Sequence, residues 1–244
     1  MTATPSLSNV RPVADDGTAK PQQVQAMFDR IARSYDLLND CISFGMHRVW
    51  KRQACALLQL KPGDAVLDVC SGTGDLIGYL LPHVKQNGQV TALDFSDQML
   101  EMARSRFEDY DNVLFRQGDA TQLPYAENAF DGVIVSFGLR NVVDIPRAIS
   151  EMARVVKPGG WVVNLDTCPE PALPGYWFYF SCVMPVIGRI LSMDPTAYRY
   201  LAESTRHFLT PAQLKTEFEK AGLVNVSSRT MMMGSVSLQA GRKK

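Results

Sequence analysis

From residue 60 onward, short apolar runs alternate with segments whose apolar residues recur every three or four positions. The runs Ala65–Val69, Gln89–Asp94, Val113–Gln117, Gly132–Ser136 and Gly160–Leu165 have the length and flanking turns of strands. The last is opened by the turn Lys157-Pro158-Gly159-Gly160, and two late strands are predicted at 223–230 and 232–239. Between them, helices are predicted over Gly74–Leu81, Ser96–Phe107, Ile145–Val156 and Pro211–Ala221. Met99, Leu100 and Ala103 share one face of the second, behind Ser96 as N-cap. Ile145, Ile149, Met152 and Val156 share one face of the third. Thr210 caps the fourth, Pro211 sits in its first turn and Gly222 stops it. Parallel strands need crossover connections, so this alternation predicts an α/β fold: a mostly parallel seven-stranded sheet with helices on both faces.

Before residue 60 the pattern is helical, over Gln22–Ser34 and Gly45–Leu58. These segments precede the first strand and are expected to form a lid, residues 21–60, over the carboxyl edge of the sheet. Residues 1–20 are polar, lack the apolar centre of a secretory signal and read as a disordered tail. The uncharged stretch Pro171–Gly188 is interrupted by Pro174, Gly175 and Pro185 and closed by Arg189. It reads as part of a helical cap, 167–209, rather than a membrane span. One domain is expected over 21–244, with the cofactor-binding half at 61–166 and a closing helix and strands at 210–244.

Composition narrows the chemistry. Lys+Arg and Asp+Glu are both 25, so the net charge is +0, and the basic footprint of a nucleic-acid binder is missing. Five cysteines at 41, 55, 70, 168 and 182 form no Cys-x-x-Cys, and there are only three histidines. Neither a disulfide framework nor a zinc site is expected, and a reducing, cytoplasmic setting fits best.

The strongest local signal is Leu67-Asp68-Val69-Cys70-Ser71-Gly72-Thr73-Gly74-Asp75, where a strand ends, a Gly-x-Gly turn follows and a helix begins. Glycine lets the backbone approach a ligand, but a dinucleotide would sit here too, so Gly-x-Gly alone is weak evidence. Two details favour another ligand. Ile77 stands where the third dinucleotide glycine would fall, and Asp75 opens the helix where a pyrophosphate would dock. Asp68, Asp94 and Asp119 are expected at the same edge of the sheet. Four carboxylates around one loop suit a cation without phosphate, and S-adenosylmethionine, with a sulfonium and an ammonium, fits. Asp94 ends the second strand and can accept both ribose hydroxyls. Asp119 can accept from the adenine amine while the Ala120 N–H meets a ring nitrogen. Ser136, ending the fourth strand, would approach the methionine portion.

VLDVCSGTGD, ALDFSDQML, GDATQLPYAENAFDGV and RVVKPGG resemble the class I S-adenosylmethionine-dependent methyltransferases, which have a Rossmann-like fold. A more specific resemblance covers the chain from about residue 22, through Phe28–Arg52, SFGLRNVVD at Ser136–Asp144 and YRYLAESTRHF at Tyr198–Phe208. It is similar to the quinone-biosynthesis C-methyltransferases that act on demethylmenaquinol or 2-methoxy-6-polyprenyl-1,4-benzoquinol. The resemblance implies Gly72, Thr73, Gly74, Asp94, Asp119, Ala120 and Ser136 around the cofactor. Asp166-Thr167-Cys168 stands where many benzoquinol enzymes have Glu-Phe-Ser, and VCSGTGD and RNVVDIPRA lean toward naphthoquinol enzymes.

The expected reaction is C-methylation of an electron-rich quinol ring, which needs alignment and a route for two protons. Arg140 and Asn141, just past the fourth strand, are placed to stabilise or orient the quinol oxygen; the competing reading pairs Arg140 with Asp144. Tyr35 and Asp36 of the lid are expected to close over the site. His47, followed by Arg48, reads as a packing or surface residue. Tyr198, Arg199, Tyr200 and Glu203 either clamp the quinol or pack the cap. Met27, Phe44, Trp177, Phe178, Phe180 and Met184 either line an isoprenoid path or belong to the core. The expected partner is a prenylated quinol, which makes transient peripheral membrane contact an expectation; a homo-oligomer is compatible with the sequence. The alternatives are the benzoquinol ring, an O- or N-methyltransferase of a small metabolite, an NAD-dependent oxidoreductase and a non-catalytic cofactor-binding scaffold.

Overall fold

The computed structural model describes residue 40 and residues 43–171, 175–178 and 195–244. The expected tail 1–20, the helix Gln22–Ser34, Tyr35 and Asp36 lie outside the described residues, as do Met27, Phe180 and Met184.

In chain order the elements are α1 (His47–Leu57), β1 (Ala65–Val69), α2 (Ile77–Val84), β2 (Gln89–Asp94), α3 (Asp97–Arg106), β3 (Val113–Gln117) and β4 (Phe130–Ser136). There follow a 3₁₀ turn (Leu139–Asn141), α4 (Ile145–Val155), β5 (Val156–Thr167), a helical turn (Tyr176–Phe178), α5 (Pro195–Arg206), α6 (Pro211–Lys220), β6 (Leu223–Met231) and β7 (Val236–Lys243). The seven strands form one sheet in the order β3-β2-β1-β4-β5-β7-β6. β1 to β5 run parallel, and β7 lies antiparallel between β5 and β6. The order reverses between β1 and β4, and a crevice opens there at the strands' carboxyl ends, the usual ligand position in such sheets.

The inner parallel strands β1, β2, β4 and β5 are buried on both faces, which is why their runs read as nearly continuous apolar segments, while β3 at the edge is partly exposed. Leu67 and Val69 of β1 and Val133 and Val135 of β4 pack with Ile149 and Met152 of α4 and Phe218 of α6. Val66 and Ile134 point the other way, against Trp50 and Ala54 of α1 and Ile77 and Leu80 of α2. Strand alternation therefore puts Asp68 and Ser136 on the α1 side, and Asn164 and Asp166 of β5 on the α4 side.

Several boundaries differ from expectation, three of them for a visible physical reason. α2 begins at Ile77 rather than Gly74, because Gly74 is left-handed (φ +76°) and belongs to the turn. It also continues through Pro82, whose missing N–H faces the carbonyl of solvent-exposed Gly78. β5 begins at Val156, with Lys157-Pro158-Gly159-Gly160 absorbed as an irregularity: Phe130 pairs with Val156, then Gly132 with Trp161. The last strand begins at Val236 rather than 232, because Met232, Met233 and Gly234 all have positive φ and form the turn. The N-caps at Ser96 and Thr210 are as expected, the latter a capping box with Gln213. Of the expected lid, α1 packs on a face of the sheet against β5, and Lys51 in its first half reaches the carboxyl edge.

Candidate active site

A cavity of about 370 Å³ opens at the carboxyl ends of β1, β2, β3 and β4. The glycine loop forms one wall. Cys70, Gly72 and Gly74 are all left-handed, and a Cβ on Gly72 would meet nothing within 4 Å, so the backbone there faces open space. Gly74 serves packing instead: a Cβ would come within 2.8 Å of Ile77 and 3.0 Å of Ala103. Gly72, Asp94, Asp119 and Ala120 line the cavity. Thr73 is buried, and neither it nor Gly74 nor Ser136 is among the lining residues. Ser136 is turned to the α1 side by strand alternation, and its Oγ has no hydrogen-bond partner among the described residues.

The expected ring of four acids is not the one the fold assembles. Asp75 is held by Lys51 of α1, with Arg106 at 3.6 Å and His47 Nε2 at 3.8 Å. Burial opposes its ionisation, but Lys51, Arg106 and His47 together hold its carboxyl below the usual range. Asp68 is buried behind the loop, where burial, with Asp94 and Asp75 nearby, pushes its carboxyl well up despite Lys51. Among the described residues, the acids that line the cavity are Asp94, Asp119 and Asp144, and no Lys, Arg or His joins them. Backbone amides hold all three: the Gly72 and Ser96 N–H groups donate to Asp94 at 2.8 Å, that of Thr121 to Asp119 at 2.8 Å and that of Arg147 to Asp144 at 2.9 Å. Asp144, which caps α4, was read from the sequence only as a partner for Arg140. A helix cap that also faces a cavity has no distinct local sequence signal.

The opposite wall is the 3₁₀ turn after β4. Asn141 lines the cavity with Phe137, Gly138, Val142 and Val143. Arg140 does not line it. Its guanidinium donates to Asp166 Oδ1 at 2.7 Å and to the Phe137 carbonyl at 2.6 Å, with side chains 6% and 0% exposed for Arg140 and Asp166. Its backbone N–H also donates to Asp166, at 3.2 Å. The acid paired with Arg140 is thus Asp166, not Asp144, because α-side alternation along β5 carries Asp166 beneath the turn. Tyr200 of α5 donates from its hydroxyl to Asn141 Oδ1 at 2.8 Å. Burial pushes the Tyr200 phenol up, so it keeps its proton. Of the cap residues left open, Tyr200 therefore meets the site and Glu203 is half-exposed on the same helix. The side chains of Tyr198 and Arg199 lie outside the described residues, as does Tyr35. His47 is buried, with Nδ1 2.7 Å from Ser43 Oγ, and burial holds its pKa below the ordinary value. Trp177 stacks under Arg206, and Phe44 is exposed. Among the described residues no cluster of His, Cys, Asp and Glu could hold a metal ion.

This geometry allows a cationic ligand in the acidic half of the cavity and an oxygen-bearing acceptor beside Asn141. Lining residues that the sequence did not single out include Leu93, Phe95, Met99, Phe137, Val142 and Val143, whose apolar character is shared with ordinary core positions.

The family model described as the ubiE/COQ5 methyltransferase family matches residues 17–243. Demethylmenaquinone methyltransferase of Staphylococcus aureus (strain JH9) is 40% identical over 233 residues, covering 94% of this chain and 96% of its own. Among solved structures, the [4+2]-cyclase SpnF superposes with a TM-score of 0.65 at 18% identity, over 95% of this chain and 97% of its own. A SAM-dependent methyltransferase of Thermotoga maritima, titled a possible histamine N-methyltransferase, gives 0.62 at 19% identity, over 90% and 99%. At these identities the structures show a shared Rossmann-like methyltransferase fold, and the cyclase makes plain that fold alone does not fix the reaction.

Proposed function

The chain belongs to the ubiE/COQ5 methyltransferase family, and from that premise we propose that it methylates a ring carbon of a prenylated naphthoquinol, using S-adenosylmethionine. The naphthoquinol ring is supported by the Staphylococcus aureus relative, whose name specifies demethylmenaquinone. The observation that carries the donor is the cavity lining: among the described residues it holds three carboxylates, Asp94, Asp119 and Asp144, and no basic side chain. Such a wall favours a cation and disfavours a diphosphate.

When bound, S-adenosylmethionine supplies a methyl group on a sulfonium sulfur, which a ring carbon takes up while the ring hydrogen leaves as a proton. Asp94 would accept the ribose hydroxyls, Asp119 would accept from the adenine amine, and the Ala120 N–H would meet a ring nitrogen; all three line the cavity. Gly72 leaves the backbone room to approach. Asn141 meets the acceptor's oxygen, and Arg140 acts at one remove by bracing the turn that carries Asn141. Holding both partners in register is worth up to roughly 7–11 kcal/mol of the barrier.

The prenyl tail of this substrate partitions into lipid, so the proposal includes a cytoplasmic protein that meets membranes peripherally. Among the described residues, no helix is long and apolar enough to cross a membrane. The test is turnover of chemically reduced demethylmenaquinone with S-adenosylmethionine, read by mass spectrometry. A product one methylene heavier supports the proposal. Turnover of a benzoquinol or a small polar acceptor in its place would overturn it.

A further inference from the structure

We infer that Tyr200 is a positioning residue for methyl transfer, fixing which end of the Asn141 carboxamide faces the cavity; this rests on the function proposed above. A carboxamide has an acceptor end and a donor end, and the same volume accommodates either orientation. The Tyr200 hydroxyl donates to Asn141 Oδ1 at 2.8 Å, which commits the oxygen to the protein side. The amide nitrogen is left as the end that addresses the acceptor. A quinol oxygen that has lost its proton needs a hydrogen-bond donor beside it, and an amide oxygen in the same place would repel it.

Tyr200 is itself fixed by the site it serves. Tyr200, Ser204 and Thr205 of α5 are all buried. Thr205 Oγ1 lies 2.9 Å from Thr167 Oγ1 at the end of β5. The Thr167 N–H donates to Asp166 Oδ1 at 2.8 Å, the oxygen that also receives Arg140. A closed circuit therefore runs from the 3₁₀ turn through Asp166, Thr167 and Thr205 to α5, and back through Tyr200 to Asn141. Both ends of the Tyr200–Asn141 bond are tied to one buried carboxylate, so their relative position is set twice.

The test is a double-mutant cycle on the full chain with the reduced quinone. Tyr200→Phe removes the hydroxyl and little volume. It should lower kcat about tenfold and leave KM for S-adenosylmethionine within about twofold. Asn141→Ala should lower kcat further, about 10²-fold, in line with loss of an oxyanion donor. In the Asn141→Ala background, Tyr200→Phe should then change nothing, because the group it orients is gone. Equal effects in both backgrounds, or an unchanged kcat, would overturn the inference. Asn141→Asp gives a check that does not depend on Tyr200→Phe folding. It keeps the bond from Tyr200 but offers no N–H, so retained turnover also overturns the inference. A wild-type chain with no quinol turnover overturns both this inference and the function it rests on, whereas additive variants of an active chain overturn this inference alone.

Discussion

The two walls of the cavity are held in opposite ways. On the β1–β3 side the acids that line the cavity end or follow their strands directly, and backbone amides within a few residues, or from the adjoining glycine loop, donate to them. On the β4–β5 side Arg140 reaches Asp166 across 26 residues of chain, and Asn141 is met by Tyr200 across 59. The first wall is built of backbone geometry and stays polar at low cost, because its carboxylates are partly hydrated. The second is built of buried side chains, where a charge is tolerated only while its partner is present. The walls should therefore fail differently: the first in ligand affinity, the second in stability.

The sharpest separation should come from Asp166→Ala, which leaves the Arg140 guanidinium buried without its carboxylate. Removing one partner of a buried pair costs about 3–5 kcal/mol, and urea melts should show it. Arg140→Met combined with Asp166→Leu should recover much of that stability while methyl transfer stays slow. A loss under about 1 kcal/mol for Asp166→Ala would mean the pair is no brace.

Asp94→Ala addresses the other wall. It should weaken S-adenosylhomocysteine binding by about 1.5–3 kcal/mol, roughly 10- to 150-fold, measured by calorimetry. Its effect on the melting midpoint should be smaller than that of Asp166→Ala. Unchanged affinity would remove Asp94 from the proposed cofactor contacts.

The walls touch at Gly138, where a Cβ would lie 2.4 Å from Cys70 Cβ. Gly138→Ala should overpack this seam by about 1–3 kcal/mol. Cys70 is left-handed at φ 56°, so adding Cys70→Gly removes both the obstruction and a strained backbone, and should restore stability. A double variant no better than Gly138→Ala would place the conflict elsewhere.

The same contrast explains what could be read from the sequence. The strand runs, the glycine turn and the place of Asp94, Asp119 and Ala120 at the cavity edge were legible because each depends on residues close by in the chain. The late strand was misplaced because Met232 and Met233 look like strand residues and carry no turn chemistry, although both are left-handed. Asp75 was read as a ligand-facing acid because Lys51 lies 24 residues earlier, on a helix whose docking the local pattern does not show. Arg140 was read as facing the substrate for the same reason. Its true partner sits on the next strand, and an alternation over β5 alone does not say which turn lies above it.

The smallest expected effect lies on the loop side, where α1 meets the glycine turn. Burial, aided by Lys51 and Arg48, holds the His47 pKa below its ordinary 6.5 against the pull of Asp75 and Asp40. In the unfolded chain His47 takes up its proton more readily than in the folded one. Stability should therefore fall as pH drops through the unfolded value toward the folded one, and be flat above it. The slope from one such group is at most about 1.4 kcal/mol per pH unit. Asp75 works in a separate window: its carboxyl is held below its ordinary 3.8, so its contribution is lost only in stronger acid. His47→Gln keeps a side chain able to bond Ser43 and removes the titration. Urea melts between about pH 7 and pH 5 should show a shallower loss of stability for His47→Gln than for the wild type. Parallel losses would place the acid sensitivity outside α1 and leave the loop wall held by backbone geometry alone.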